Sequence, residues 1–75
     1  MQSQPASGGR TQAILRRTEV ERLTGLSRST LYDKMAAGQF PKSVPLSGRA
    51  VGWLETEIAD WQHACIAERD KREGR

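Results

Sequence analysis

A run of hydrogen-bonding side chains follows Ser27, and its chemistry suits nucleic acid. Arg28 can hold a phosphate or donate two hydrogen bonds to a guanine, and Ser29 and Thr30 can bond phosphates or base edges. Tyr32 can do either while its ring packs on a sugar. An exposed helix of any protein carries similar residues, so the run predicts a DNA contact only if the neighbouring elements form a DNA-binding arrangement.

Local signals around this run predict two short helices joined by a tight turn. Thr18 and Glu21 match a capping box, in which each side chain bonds the other residue's backbone amide. Gly25 is suited to end that helix, and Ser27 to cap a second one. This order is typical of DNA-binding domains whose second helix presents its N-terminal residues to the major groove.

The segment after the second helix changes to an extended pattern. Pro41 and Pro45 exclude a continuous helix, because proline lacks an amide donor and restricts the residue before it. Ser47 and Gly48 form a turn dipeptide between two short apolar runs. A two-stranded hairpin is therefore expected, and Pro45 suits the edge of so small a sheet.

Apolar residues spaced four, three and four apart predict a third helix after the hairpin. They are Leu54, Ile58, Trp61 and Cys65. Acidic residues near its start and basic residues near its end fit the helix dipole. We expect Trp61 and the preceding Trp53 to belong to the core, and Cys65 to be a buried small residue.

These signals predict a mainly α fold with a small β-hairpin, of the winged helix-turn-helix class. The helices are expected at about 18–24, 27–37 and 54–70, and the two strands of the wing at about 43–46 and 49–53.

The domain organisation follows from composition. Residues 1–13 are rich in Gln, Ser and Gly and have almost no large apolar side chain, so we expect a disordered N-terminal arm. Residues 14–70 are expected to form the single domain, whose first residues, 14–17, suit a brief strand. Residues 71–75 are expected to be a frayed tail.

The charge of the chain is unevenly distributed along its 75 residues. The formal net charge is +3, but the segment from Met1 to Gly52 carries eight basic and three acidic residues. The remainder carries four basic and six acidic residues. A segregated positive charge favours binding to a phosphate backbone.

Other function classes find little support in the sequence. Cys65 has no second thiol for a disulfide or metal site, and His63 has no ligand partner at a suitable spacing. No glycine-rich phosphate loop, nucleophile motif or paired acid and base is present, so we expect neither an enzyme nor a catalytic, cofactor or metal site. The lone cysteine and the lack of an apolar run of roughly 20 residues predict a soluble, cytoplasmic protein.

Three blocks of sequence closely resemble the AlpA family of prophage regulators. They are TGLSRSTLY from Thr24, GQFPK from Gly38 and RAVGWLE from Arg49, and they occur in the family's order and spacing. The resemblance covers nearly all of residues 15–67. It implies a winged helix fold like that of excisionases and MerR-type proteins, and a DNA-binding activator or repressor carried by a prophage or integrated element. It also implies that Lys42 and Arg49 lie on or beside the wing.

The candidate DNA-binding residues lie on the second helix, just before the first helix and around the wing. They are Arg16, Arg17, Ser27, Arg28, Ser29, Thr30, Tyr32, Asp33, Lys34, Lys42 and Arg49. Asp33 departs from the family, which commonly has a basic residue there. An acid at that position accepts from the amine of a cytosine or faces away from the DNA, and the sequence leaves both open.

The expected partner is double-stranded DNA. A single short recognition helix contacts few base pairs, and the last helix is too short for a stable coiled coil, so we expect a monomer in solution that assembles cooperatively on DNA. Two alternatives stay open. One is an excisionase-like recombination directionality factor, and the other is an interaction module that docks on an integrase or RNA polymerase through the last helix.

Overall fold

The computed structural model describes residues 11–73, with side chains through residue 72, and this part of the chain forms three helices and a small antiparallel sheet. The helices are α1 (Arg17–Thr24), α2 (Arg28–Ala36) and α3 (Glu55–Glu73). The strands are β1 (Ile14–Arg16), β2 (Val44–Ser47) and β3 (Ala50–Leu54). The mainly α class with a small β element is confirmed.

Helix α1 begins one residue earlier than predicted, and it lacks the predicted capping box. Arg16, the residue before the helix, has an extended backbone and makes no side-chain cap. The Glu21 carboxylate instead pairs with Arg17, at 2.5 Å between Nη1 and Oε2. The capping box of Thr18 was therefore wrong, because β1 leads directly into the helix and a cation four residues earlier takes the carboxylate.

The turn between α1 and α2 follows the predicted signals. Gly25 has φ of 77°, and its amide donates to the Glu21 carbonyl at 2.8 Å. The Ser27 hydroxyl accepts from the Thr30 amide at 3.2 Å, which confirms Ser27 as the cap of α2. Only three residues separate the two helices, and α2 agrees with its predicted bounds to within one residue at each end.

The predicted hairpin is present, but its turn lies one residue later than expected. Gly48 and Arg49 form the turn, whereas the dipeptide Ser47 and Gly48 was predicted to do so. The pairing of β2 with β3 shifts register between Pro45 and Ser47, so Leu46 is an extra residue in β2. This bulge moves the turn along the chain, which composition alone does not reveal.

The sheet has three strands rather than the predicted two. Its order is β1-β3-β2, with β3 in the centre and antiparallel to both neighbours. Leu15 of β1 lies opposite Trp53 of β3. The carbonyl of Ala13 accepts from the Glu55 amide at 2.9 Å, which ties the chain before β1 to the start of α3. The brief strand predicted at residues 14–17 is thus present as β1, and its pairing with β3 corrects the two-stranded sheet of the prediction.

A small core lies between the helices and one face of the sheet. Its buried members are Val20, Leu31, Phe40, Trp53 and Ile58. The indole of Trp53 is fully buried and donates to the Pro41 carbonyl at 3.0 Å, which confirms its core position. Trp61 packs at the edge of the core.

Helix α3 extends beyond the core that its first turns cover. It begins at Glu55, because Leu54 belongs to β3, and continues to Glu73, three residues past its predicted end. The basic residues of the last turn favour this extension at the negative end of the dipole. The prediction that Cys65 is buried was wrong, because α3 has passed the core after Trp61 and leaves Cys65 exposed.

Parts of the predicted arm and tail lie outside the described residues, namely residues 1–10 and 74–75. Residues 11–13 have no regular structure, and residues 71–73 are helical. Within residues 11–73, no helix combines the length and the apolar composition needed to cross a membrane.

Candidate nucleic-acid interface

The first turn of α2 is stabilised by two of the candidate residues. Ser27 Oγ accepts from the Thr30 amide and donates to Thr30 Oγ1 at 3.0 Å. The Ser27 hydroxyl is thereby used within the helix, whereas the Thr30 hydroxyl retains its own proton for a further acceptor. Ser29 lies exposed beside them, and its hydroxyl makes no hydrogen bond with another described side chain. Ser27 therefore positions the turn, and Ser29 and Thr30 are the hydroxyls available to a ligand.

Arg28 and Tyr32 form one connected unit on the exposed side of α2. The guanidinium carbon of Arg28 lies 6.0 Å from the Tyr32 ring centroid, at the outer limit of a cation–π contact. The Tyr32 ring meets the buried Trp53 edge-on, with centroids 6.4 Å apart and an interplanar angle of 67°. Tyr32 is 38% exposed, so it bridges the core and the surface. The buried tryptophan thus fixes the ring on which Arg28 lies.

The outward face of α2 mixes charges of both signs. At 100° per residue, Ser29 and Asp33 occupy the centre of that face, opposite the buried Leu31. Asp33 is exposed and forms no ion pair with any described cation. Lys34 is half-buried on the flank away from Arg28. The structure therefore separates Lys34 from the Arg28 side of the helix and leaves Asp33 beside the hydroxyls.

Lys42 lies close to α2, although it belongs to the loop that follows the helix. Together with Ser43 it lines a shallow depression whose other walls are Tyr32, Met35 and Ala36. The structure thus brings Lys42 together with Tyr32, as the candidate set requires. Ser43, which lines the same depression, is not among the predicted DNA-binding residues, and its only signal in the sequence is its position directly after Lys42.

Arg49 lies at the tip of the β2–β3 hairpin. It follows Gly48, whose φ of 55° permits the tight turn, and it is exposed. No described carboxylate pairs with it. The tip of the hairpin therefore carries an available positive charge.

Arg16 and Arg17 are engaged within the fold. Arg16 Nε donates to the Val51 carbonyl across the sheet at 3.2 Å, and Arg17 is held by Glu21. These contacts leave fewer donors of either side chain for DNA. The sequence did not reveal this, because the partner of Arg16 is 35 residues away in the chain.

Cations without a carboxylate partner are concentrated around α2 and the hairpin. Within residues 11–72, the cations in ion pairs lie on α1 and α3: Arg17, Arg22, Arg69 and Arg72. Six described cations form no ion pair. Four of them lie on α2, on the loop after it and on the hairpin: Arg28, Lys34, Lys42 and Arg49. The other two are Arg16 on β1 and Lys71 near the end of α3. Of the described cations, those available to a negatively charged ligand therefore lie mainly around α2 and the hairpin.

On α1, the positive charge of Arg22 is paired with the negative charge of Glu19. The guanidinium of Arg22 hydrogen-bonds both carboxylate oxygens of Glu19, and this contact lowers the pKa of Glu19. The same hydrogen bond raises the pKa of Arg22. Both side chains are exposed, but their charges largely cancel, so α1 contributes little to the positive surface.

The described part of the chain contains no cluster of three His, Cys, Asp or Glu side chains able to hold a metal ion. His63 is exposed on α3, as expected for a solvated helical histidine. The depressions on the surface are shallow and open.

Comparison with known proteins identifies relatives of the chain. It is 43% identical over 60 residues to the uncharacterized protein ORF88 of Enterobacteria phage P4, a match that covers 80% of this chain and 68% of the phage protein. It is 39% identical over 54 residues to the DNA-binding transcriptional activator AlpA of Escherichia coli K12, which covers 64% of this chain and 77% of that protein.

The family comparison agrees with the three blocks of sequence, which lie in α2 and the turn before it, in the loop after α2, and in β3. The model of the prophage CP4-57 regulatory protein (AlpA) family matches residues 13–66, from just before β1 into the second half of α3. The match contains α2, its loop and the hairpin in full. This chain belongs to the AlpA family of prophage regulatory proteins.

Proposed function

We propose that this protein is a sequence-specific DNA-binding transcriptional regulator of a prophage or integrated element. In this proposal the fold acts as a winged helix-turn-helix, with α2 in the major groove and the β2–β3 hairpin on the phosphate backbone. The observation that carries it is the concentration of unpaired cations around α2 and the hairpin, next to exposed hydroxyls at the start of α2. The name of the Escherichia coli relative, a DNA-binding transcriptional activator, supports it.

Arg28 is the base-reading residue of the proposed complex. It lies in the first turn of α2, where side chains reach furthest into the groove, and Tyr32 limits its conformations. A preorganised guanidinium loses less entropy when it donates two hydrogen bonds to a guanine. Ser29 and Thr30 contact phosphates or bases nearby. Asp33 disfavours phosphate and accepts from the exocyclic amine of a cytosine.

Lys42 and Arg49 hold the DNA backbone on the same side as Tyr32 and the hairpin. Both are exposed and lack a carboxylate partner among the described residues. A single exposed cation that neutralises a phosphate contributes to affinity without reading sequence. Lys34 contributes in the same way, and Arg16 and Arg17 contribute less because the fold already uses their donors.

The proposed regulator is a cytoplasmic monomer that binds DNA cooperatively at neighbouring sites. One short recognition helix reads few base pairs, and two copies are needed for specific binding at useful concentrations. An integrase or RNA polymerase is a further partner in this proposal, reached through surfaces that DNA leaves free.

A gel-shift experiment with the DNA upstream of the protein's own operon tests the proposal. We expect a discrete complex that survives an excess of unrelated competitor duplex and is lost with Arg28→Ala. Arg22→Ala is the matched control, because that arginine is exposed but already paired on α1. Complexes that unrelated duplex removes as readily as the upstream fragment would refute sequence-specific binding.

A further inference from the structure

The second half of α3 lies outside the core of the domain. Gln62 donates to the Leu23 carbonyl at 2.9 Å, and every residue from His63 to Arg72 is exposed. The described chain is 53 Å long but only 28 and 20 Å across. A helix of this length without tertiary contacts is only marginally stable in water, so this half of α3 gains stability from any partner that covers it.

A shallow groove runs along one side of α3 and carries opposite charges at its two ends. Two adjoining depressions, which share Gln39 and Trp61, form it. The carboxylates at one end are Glu57 and Asp60. The other end carries the guanidinium groups of Arg69 and Arg72 and the carboxylate of Glu68, which lies 3.5 Å from Arg72 Nε. Arg69 pairs with Asp70, and both pairs are exposed, so they are weak enough to exchange for a carboxylate of a partner. The middle is lined by Trp61, Ala64 and Cys65. We call this surface the α3 groove.

The order of charges along α3 makes the groove of one copy complementary to the groove of a second copy whose α3 runs antiparallel. Glu57 and Arg72 lie equally far from the point between Ala64 and Cys65, about 11 Å along the helix axis in each direction. A second α3 that runs antiparallel about that point therefore places its Arg72 opposite Glu57 of the first. The two residues at the crossing are small, which permits close approach of the helices.

We propose that the α3 groove binds a second copy of this chain through antiparallel pairing of the two α3 helices about a two-fold axis. The symmetry makes the contact isologous, so each ion pair occurs twice. None of the residues lining the groove belongs to the eleven candidate DNA-binding residues. Three carboxylates line the groove, those of Glu57, Asp60 and Glu68, and they repel phosphate, so DNA is the wrong occupant for it.

The pairing is weak in the absence of DNA. A helix face about 24 Å long and roughly 10 Å wide is much smaller than the ~800 Å² per partner of a stable complex. Pairing of the α3 helices on DNA therefore rests on the proposed function, because neighbouring DNA sites raise the effective concentration of one copy near another. This reconciles a monomer at ordinary concentrations with cooperative binding on DNA.

Charge reversal in the free protein tests the pairing without DNA. Glu57→Arg and Arg72→Glu each create two like-charge contacts in a homodimer. An equimolar mixture of the two variants instead forms a heterodimer in which both pairs are again opposite in sign. We expect each variant alone to associate about tenfold more weakly than the wild type, and the mixture to recover wild-type association, as measured by sedimentation equilibrium up to about 1 mM.

Glu55→Arg is the matched control, because Glu55 is an exposed acid of the same helical turn that does not line the groove. Glu55→Arg alone should associate as the wild type does. An equimolar mixture of Glu55→Arg and Arg72→Glu should associate more weakly than the wild type. The proposal is overturned if the wild type stays monomeric throughout, if the reversals have no effect, or if the mixture is as weak as its components. Failure of DNA binding would refute the proposed function and leave these results unaffected.

Discussion

The guanidinium of Arg28 lies over the ring of Tyr32, with 6.0 Å between the guanidinium carbon and the ring centroid. The ring is itself held edge-on by the buried Trp53. A residue of the core thus determines, through one intermediate side chain, where a surface arginine lies.

Arg28→Ala should weaken specific DNA binding by about 1–3 kcal/mol, the usual effect of removing a two-bond contact to guanine. Folding should be unaffected, because Arg28 is exposed and forms no ion pair with the described acids. Fluorescence anisotropy on the operator and circular dichroism of the variant check both parts. Unchanged operator affinity in a folded variant would remove Arg28 from the interface.

Neutralising Lys42 and Arg49 together should weaken binding to all DNA sequences alike. Contacts to phosphate carry affinity but no sequence information. The slope of log affinity against log salt should fall by roughly one unit for each lost contact. A titration series at several salt concentrations measures it. If discrimination at one base position is lost instead, the hairpin reads sequence and the assigned roles are wrong.

Ser27→Ala should reduce the free energy of unfolding by about 1 kcal/mol, because the hydroxyl caps the first turn of α2. Thr18→Ala is the matched control, since α1 is not capped by a side chain and Thr18 is exposed. It should have little effect. Urea denaturation of both variants measures their free energies of unfolding. An equal loss of stability in the two would indicate that Thr18 caps α1, as the sequence predicts, and would contradict the structure.

Gly52→Ala should destabilise the sheet by about 1–3 kcal/mol, the range for overpacking a tight site. A methyl group there would overlap Ile14 Cγ2 and lie 3.1 Å from the Leu15 carbonyl oxygen. Ile14→Ala removes the methyl group that clashes most closely. The double variant should therefore regain part of the lost stability, as measured by thermal unfolding. A fully stable single variant would contradict the close packing of β1 on β3.

Glu19 should titrate below the ordinary glutamate range. The hydrogen bond that it accepts from Arg22 lowers its pKa below the ordinary value of a glutamate. A carboxyl with a depressed pKa in the folded state stabilises the fold above its unfolded pKa, and that contribution is lost as the pH falls through the folded pKa. NMR titration of the side chain should show a return to the ordinary midpoint in Arg22→Gln. The same midpoint in both proteins would exclude the pair in solution.

The helices were predictable because their signals are local. Gly25 ends α1 through its left-handed backbone, and Ser27 caps α2 through a contact three residues away. The capping box failed because Arg17 competes for the carboxylate of Glu21, and the sequence pattern does not rank such competitors.

The features that the sequence did not predict depend on distant contacts. The sequence predicts a brief strand at residues 14–17, but not that this strand, β1, pairs with β3 some 38 residues later. The exposure of Cys65 depends on where the core ends along α3, which periodicity alone does not determine. The bond from Arg16 to Val51, which reduces its availability to DNA, crosses the same sheet.

The most direct test of DNA binding by this AlpA-family protein is its affinity for the duplex upstream of its own operon and for a scrambled duplex of equal length, each measured from 50 to 200 mM salt. The account predicts tighter binding to the upstream duplex at every salt concentration. It also predicts a linear fall of log affinity with log salt, with a slope of about −0.9 for each phosphate contact. Equal affinity for the two duplexes, or affinity that does not change with salt, would contradict it.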